Sequence, residues 1–121
     1  MTIGEKLKAI RGLVEVDLTG VPIDQLEEHG KRLAAIIGLS AETMAQAKKA
    51  YDLRLLQAIR ANEGKDLTAS ILLKVAQAEA AEEAAVYEYA DRLNAGITHQ
   101  LDYYRTVISK YKEELRNSLH Q

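Results

Sequence analysis

The sequence contains no cysteine, no phenylalanine and no tryptophan, and its 121 residues include a single proline. Without cysteine the chain can form no disulfide, no thiolate nucleophile and no cysteine-ligated zinc or iron-sulfur site. The only aromatic residues are six tyrosines, whereas 18 residues are alanine, so the core must consist of leucine, isoleucine, valine and alanine. That composition favours close-packed helices. One proline, few β-branched runs and no long alternation of apolar and polar residues argue against a β fold.

Two further absences concern membranes and charge. No apolar run approaches the ~18 residues that cross a membrane, and residues 1–11 carry charges where a signal peptide needs an apolar segment. We therefore expect a cytoplasmic protein without a membrane partner. The formal net charge of −2 excludes a generally basic surface, so any contact with nucleic acid must come from local clusters.

The first part of the chain is predicted to be an N-terminal arm, residues 1–21. Apolar residues at helical spacing predict a short, marginal helix over residues 3–13. Residues 14–21 are bounded at their end by Gly20 and Pro22 and are interpreted as an extended connector, with an edge strand as the weaker alternative.

Residues 22–121 are predicted to form a helical oligomerisation domain. Pro22 suits the first turn of a helix, and Gly38 is the expected stop of that helix. Ser40 is the expected cap of the next helix, which runs to about Glu63 and is followed by a turn near residues 62–66. Within that helix Leu53 points away from the apolar face, so we interpret it as a contact to a partner.

The longest regular pattern lies near the C-terminus, where apolar residues from Val86 to Leu119 recur every three or four positions. The phase does not slip at Gly96, which favours one helix from about Leu67 to Leu119 over a hairpin. On this interpretation Gly96→Ala should stabilise the protein by about 0.5–1 kcal/mol.

A helix of that length would extend roughly 80 Å, far beyond the dimensions of a compact domain of this size. The fold class predicted is therefore all-α: a helical hairpin or bundle with a very long C-terminal helix that assembles as a homo-oligomer, partly through coiled-coil contacts. The predicted oligomer interface consists of Leu93, Ile97, Leu101, Tyr104, Ile108, Tyr111 and Leu115.

Two carboxylates, Glu79 and Glu82, fall on this apolar stripe where it weakens. If the stripe is buried there, they need cationic or hydrogen-bonding partners and would fix the register of the helices. Alternatively, this alanine-rich stretch is solvated.

No residue pattern points to catalysis. His29, His99 and His120 lie in no HxxxH or ExxH spacing and are expected at the surface, and the chain has no G-x-S-x-G motif and no glycine-rich phosphate loop. We predict no catalytic residue, no metal site, no cofactor, no small-molecule substrate and no enzymatic activity.

The basic residues form two groups, one on the central helix and one near the C-terminus. The groups are Lys48, Lys49, Arg54, Arg60 and Lys65, and Arg105, Lys112 and Arg116. The second group lies within about 40° on a helical wheel. One interpretation is that oligomerisation joins these residues into a track for a phosphate backbone, with Tyr103 stacking on a base. The alternative is that their long aliphatic stems cover apolar surface beside a helical seam.

The segments LEEHGKRLAAIIG, AKKAYDLRLLQAIR, ANEGKD and YEYADRLNAGITHQLDYYRTVISKYKEELR follow one another over about three quarters of the chain. This order of helices and turn resembles small all-α phage recombination accessory proteins of the UvsY type. The resemblance implies a homo-oligomer in the bacterial host cytoplasm that binds single-stranded DNA and helps load a recombinase onto strands covered by single-strand-binding protein. The positions it assigns to DNA are Lys48, Lys49, Arg54, Arg60, Arg105, Lys112 and Arg116.

The sequence therefore predicts a phage or prophage DNA recombination mediator. The alternative is a non-enzymatic helical adaptor or scaffold that binds another protein through the Leu53 face and the long seam, with no nucleic-acid role.

Overall fold

A computed structural model describes residues 1–120 as four α-helices with no strand among them. The helices are α1 (Ile3–Val14), α2 (Ile23–Asn62), α3 (Ala69–Glu79) and α4 (Ala81–Leu119), and a short 3₁₀ helix (Glu63–Lys65) follows α2. The all-α prediction is confirmed. Gln121, the last residue of the predicted second domain, lies outside the described residues. Within residues 1–120 no helix combines the length and apolar character needed to cross a membrane.

The expected stop at Gly38 is wrong, because α2 continues through this residue for 40 residues. A glycine inside a helix costs only about 1 kcal/mol relative to alanine, and packing on both sides of Gly38 offsets that cost. Leu33 is fully buried on one side. On the other side, Ser40 does not cap a new helix but donates a hydrogen bond to Asn94 Oδ1 of α4, at 3.1 Å.

The predicted single helix from Leu67 to Leu119 is also divided, although not at Gly96. The backbone of Ala80 (φ −97°, ψ 14°) separates α3 from α4, and α4 passes through Gly96 without a break. Ala76 and Ala80 are both fully buried, so the break between α3 and α4 lies where small side chains face the interior of the bundle. Thr68 caps α3 by accepting a hydrogen bond from the Ile71 N–H at 3.3 Å.

The helix α2 runs antiparallel to α3 and α4 after a turn at residues 62–66, as predicted, in which Asp66 adopts the left-handed conformation (φ 54°). Polar contacts between the helices mark their register. Asn62 Nδ2 lies 3.3 Å from both carboxylate oxygens of Glu79 near the turn, and His29 Nε2 lies 3.2 Å from Gln100 Oε1 at the far end.

The short helix α1 packs against both long helices. The Thr2 hydroxyl caps it by accepting from the Glu5 N–H at 3.1 Å. Its buried residues join α2 and α4 in one core: Leu7, Ile10, Leu33, Ala47, Ala90, Leu93, Ile97 and Leu101. Residues 15–22 then connect α1 to α2 without helix or strand, as expected for an extended connector. The N-terminal arm therefore shares its core with the helices that follow.

The close approach of α1 reverses the effect expected for Gly96→Ala. A Cβ atom at Gly96 would lie 2.7 Å from Cγ1 of Val14, at the end of α1. We expect this crowding to outweigh the gain in helix propensity and to lower the free energy of unfolding by about 1 kcal/mol in thermal or urea denaturation. Gly12→Ala, at a glycine with no such neighbour, is the matched control. The double variant Val14→Ala/Gly96→Ala should recover most of the loss, and a more stable single variant would contradict the packing of α1 here.

Candidate functional site

The end of α4 projects beyond the rest of the bundle. Leu26 of α2 and Ile108 of α4 are the last buried residues at this end, and every residue from 109 to 120 is exposed. We call residues 109–119 the α4 tail; at 1.5 Å per residue it is about 16 Å long. Its apolar side chains continue the stripe of the core but have no neighbouring helix: Tyr111, Leu115 and Leu119 are 44%, 51% and 78% exposed.

The predicted oligomer interface is thus divided between two environments. Leu93, Ile97, Leu101 and Ile108 are at most 9% exposed in the single chain. Their apolar surface is already used by α1 and α2, which removes the reason for placing them in an interface between chains. Tyr104 is half-buried against Gly30, and only Tyr111 and Leu115 remain free for another chain.

The α4 tail carries three cations, Lys110, Lys112 and Arg116, and the carboxylates Glu113 and Glu114. Among residues 1–120 none of these three cations forms an ion pair. Arg105, one to two turns earlier, lies 3.7 Å from Asp102, and both side chains are about two-thirds exposed or more. Such an exposed pair contributes little to stability and leaves the guanidinium accessible.

The basic residues of α2 lie at the other end of the bundle. Lys48, Lys49, Arg60 and Lys65 are exposed. Arg54 instead faces Glu83 of α4, with Nε 4.0 Å from Oε1. From this point to Arg105 is about 33 Å along α4, so one chain does not bring the two basic groups together.

The aromatic residue expected to stack on a base lies in an unsuitable place. Tyr103 is 48% exposed, but it borders a hollow that contains Asp17 of the connector. The Thr19 N–H donates a hydrogen bond to Asp17 Oδ1 at 2.9 Å, which holds the pKa of Asp17 below its usual value. A fixed negative charge beside Tyr103 disfavours a phosphate backbone there. Tyr111, within the α4 tail, has cations on both sides in sequence.

An ion pair lies at the C-terminal end of α1. Arg11 Nε donates to both carboxylate oxygens of Glu15 at 2.9 Å, which raises the pKa of Arg11. Both groups are exposed, and the contact is local to the end of that helix.

One histidine departs from the expected surface position. His29 is only 8% exposed and shares a hydrogen bond with Gln100, whose amide group in turn donates to the Val14 carbonyl. This chain of polar contacts joins α2, α4 and the end of α1. Among residues 1–120 no group of three or more histidine, aspartate or glutamate side chains could hold a metal ion.

A cavity of about 360 Å³ opens between the start of α1, the middle of α2 and the start of α4. We call it the α1 cavity. Its apolar wall includes Leu7, Ala50 and Val86, and Glu82 and Glu83 add two carboxylates. Glu83 has Arg54 as a neighbour, whereas Glu82 forms no ion pair among the described residues.

The exposure of the two stripe carboxylates decides between their two interpretations. Both Glu79 and Glu82 are exposed, in agreement with a solvated stretch, although Glu79 also accepts a hydrogen bond from the buried Asn62. Nothing in the helical periodicity reveals the cavity, because it depends on where the start of α1 lies across the two long helices.

Comparisons of the chain with family models, curated proteins and solved structures found no match. A function for the chain must therefore be inferred from the α4 tail and the α1 cavity themselves.

Proposed function

We propose that the protein is a non-enzymatic accessory factor that self-associates and binds single-stranded DNA, with the α4 tail as the principal contact. The observation that carries this proposal is that the tail projects free of the bundle with Lys110, Lys112 and Arg116 unpaired among residues 1–120. Tyr111 lies among these cations and is 44% exposed, so it can stack on a base. The role in recombination, with a recombinase and a single-strand-binding protein as partners, is what the resemblance to UvsY-type mediators adds.

A single tail provides few phosphate contacts against a net charge of −2, so one chain binds weakly. Self-association changes this, because once one tail has bound, the others are held at high effective concentration near the same strand. Affinity should therefore depend on protein assembly as well as on salt.

The test is fluorescence anisotropy of a labelled single-stranded oligonucleotide at about 50 and about 300 mM salt. We expect saturable binding that weakens steeply as salt rises. In the variant Lys110→Ala/Arg116→Ala the slope of log affinity against log salt should be smaller by about 1.4, because each phosphate contact contributes about 0.7. Helicity should not change, since both side chains are exposed.

The matched control is Lys8→Ala/Lys74→Ala, which removes the same charge from exposed positions on α1 and α3. Binding of this control should stay close to that of the unmodified protein. Equal salt slopes for the two double variants would show that the tail is not the DNA contact.

A second candidate function, a helical adaptor for another protein, is favoured by exposed apolar residues near the turn. Leu53 is 50% exposed, as its position on the helix predicted, and Leu56, Ile71 and Leu73 are 43–49% exposed. Protein that is folded and assembled but binds no oligonucleotide at the lower salt concentration would favour this candidate over DNA binding.

A further inference from the structure

We propose that the α4 tail of one copy docks in the α1 cavity of another copy. In this contact Leu115 enters the apolar part of the cavity, and Lys112 pairs with Glu82. The inference rests on the self-association included in the proposed function and names the two surfaces that meet.

The two surfaces match in polarity. The tail presents an apolar stripe of three large side chains that no other helix covers. The cavity presents apolar side chains from α1, α2 and α4, and its volume of about 360 Å³ suits one or two large apolar side chains. The helix α1 already packs against α2 and α4. A docked tail would pack against the start of α1 in the same way, as one more helix of the bundle.

The two surfaces also match in charge. Lys112 lies one turn before Leu115 and therefore on a neighbouring part of the helix surface. Glu82 lies one turn before Val86, which lines the cavity. Neither Lys112 nor Glu82 has an ionic partner among residues 1–120. When Leu115 enters the cavity beside Val86, Lys112 comes close to Glu82. Each of these two charged groups then gains an ionic partner.

The occupant must come from another copy. Val86 and Leu115 belong to the same continuous helix, so they lie about 44 Å apart. A tail on that helix cannot fold back into its own cavity. Each copy then offers one tail and one cavity, a contact between two different surfaces that builds larger assemblies unless it closes on itself.

The chain has no cysteine, so engineered thiols provide a direct test. One variant carries Leu115→Cys and the other Val86→Cys, at positions 51% and 39% exposed, and circular dichroism checks that each remains helical. Under mild oxidation we expect a disulfide-linked dimer when the two variants are mixed and little in either variant alone. A dimer formed by Leu115→Cys alone would show that tails meet tails, and absence of the mixed dimer would overturn the proposal.

A charge exchange provides an independent measurement of the same contact by sedimentation. Lys112→Glu and Glu82→Lys should each weaken self-association about two- to fivefold at low salt, and the double variant should restore it. Leu115→Ala should weaken it roughly tenfold or more. Failure of the double variant to recover association would overturn the pairing of Lys112 with Glu82.

The outcomes also separate this inference from the proposed function. If the mixed disulfide fails while salt-dependent DNA binding persists, the docking is wrong and the proposed function stands. If the disulfide forms but the protein binds no oligonucleotide, the docking stands and the DNA-binding function is wrong.

Discussion

Ile97→Ala is expected to lower the free energy of unfolding of the single chain by about 2–5 kcal/mol. Ile97 is fully buried in the core that α1, α2 and α4 share. Truncation removes the transfer free energy of three carbon atoms and leaves a cavity that the neighbouring helices only partly fill. The effect should appear in urea denaturation at any protein concentration, because the side chains that pack around Ile97 belong to the same chain.

Leu115→Ala is the control on the same stripe. Leu115 is 51% exposed, so its truncation should change the stability of the single chain by less than about 0.5 kcal/mol while it weakens self-association. If Ile97→Ala instead dissociated an assembly and left the chain equally stable, the core of one chain would not be as the structure describes it.

Gly30→Ala is expected to lower the free energy of unfolding by about 1–2 kcal/mol, the second large effect. A Cβ atom at Gly30 would lie 2.8 Å from Cδ2 and Cε2 of Tyr104 and 2.9 Å from its Cγ. The ring would have to move away from α2, and overpacking of this kind costs about 1–3 kcal/mol before the gain in helix propensity is subtracted.

Gly38→Ala, in the same helix, should change the free energy of unfolding in the opposite direction. An added Cβ at Gly38 has no neighbour within 4 Å. The substitution should therefore raise the free energy of unfolding by about 0.5–1 kcal/mol. Two thermal melts thus distinguish a glycine required by packing from one that is merely tolerated, and a stabilised Gly30→Ala would show that Tyr104 does not lie against α2.

The periodicity of the sequence predicts the helical class, the connector and the turn at residues 62–66, because these depend on local spacing and on turn residues. It fails at Gly38, where glycine is compatible with a helix end but tertiary packing keeps the helix intact. It also misses the break at Ala80, but the error at Gly38 has the larger consequence. With α2 divided, the C-terminal helix has no partner of its own length, and the apolar stripe then predicts an interface between chains.

With α2 and α4 of 40 and 39 residues, the partner lies in the same chain. The stripe is covered from within between Leu93 and Ile108, whereas Val86 at its start and the α4 tail at its end remain exposed. The basic residues of the candidate site are visible in the sequence, but their distance from one another is not. The α1 cavity is not visible at all, because its wall combines residues from three separate helices.

The turn at Asp66 also has a consequence for how the chain reaches its fold. Contacts between α2 and its partners join residues separated by 17 positions at Asn62 and Glu79, 54 at Ser40 and Asn94, and 71 at His29 and Gln100. Closing a loop costs only about 0.6 kcal/mol more for each doubling of its length, and each contact made near the turn shortens the loop that the next must close. The long helices should therefore pair progressively from the turn outward, with His29 and Gln100 joining late.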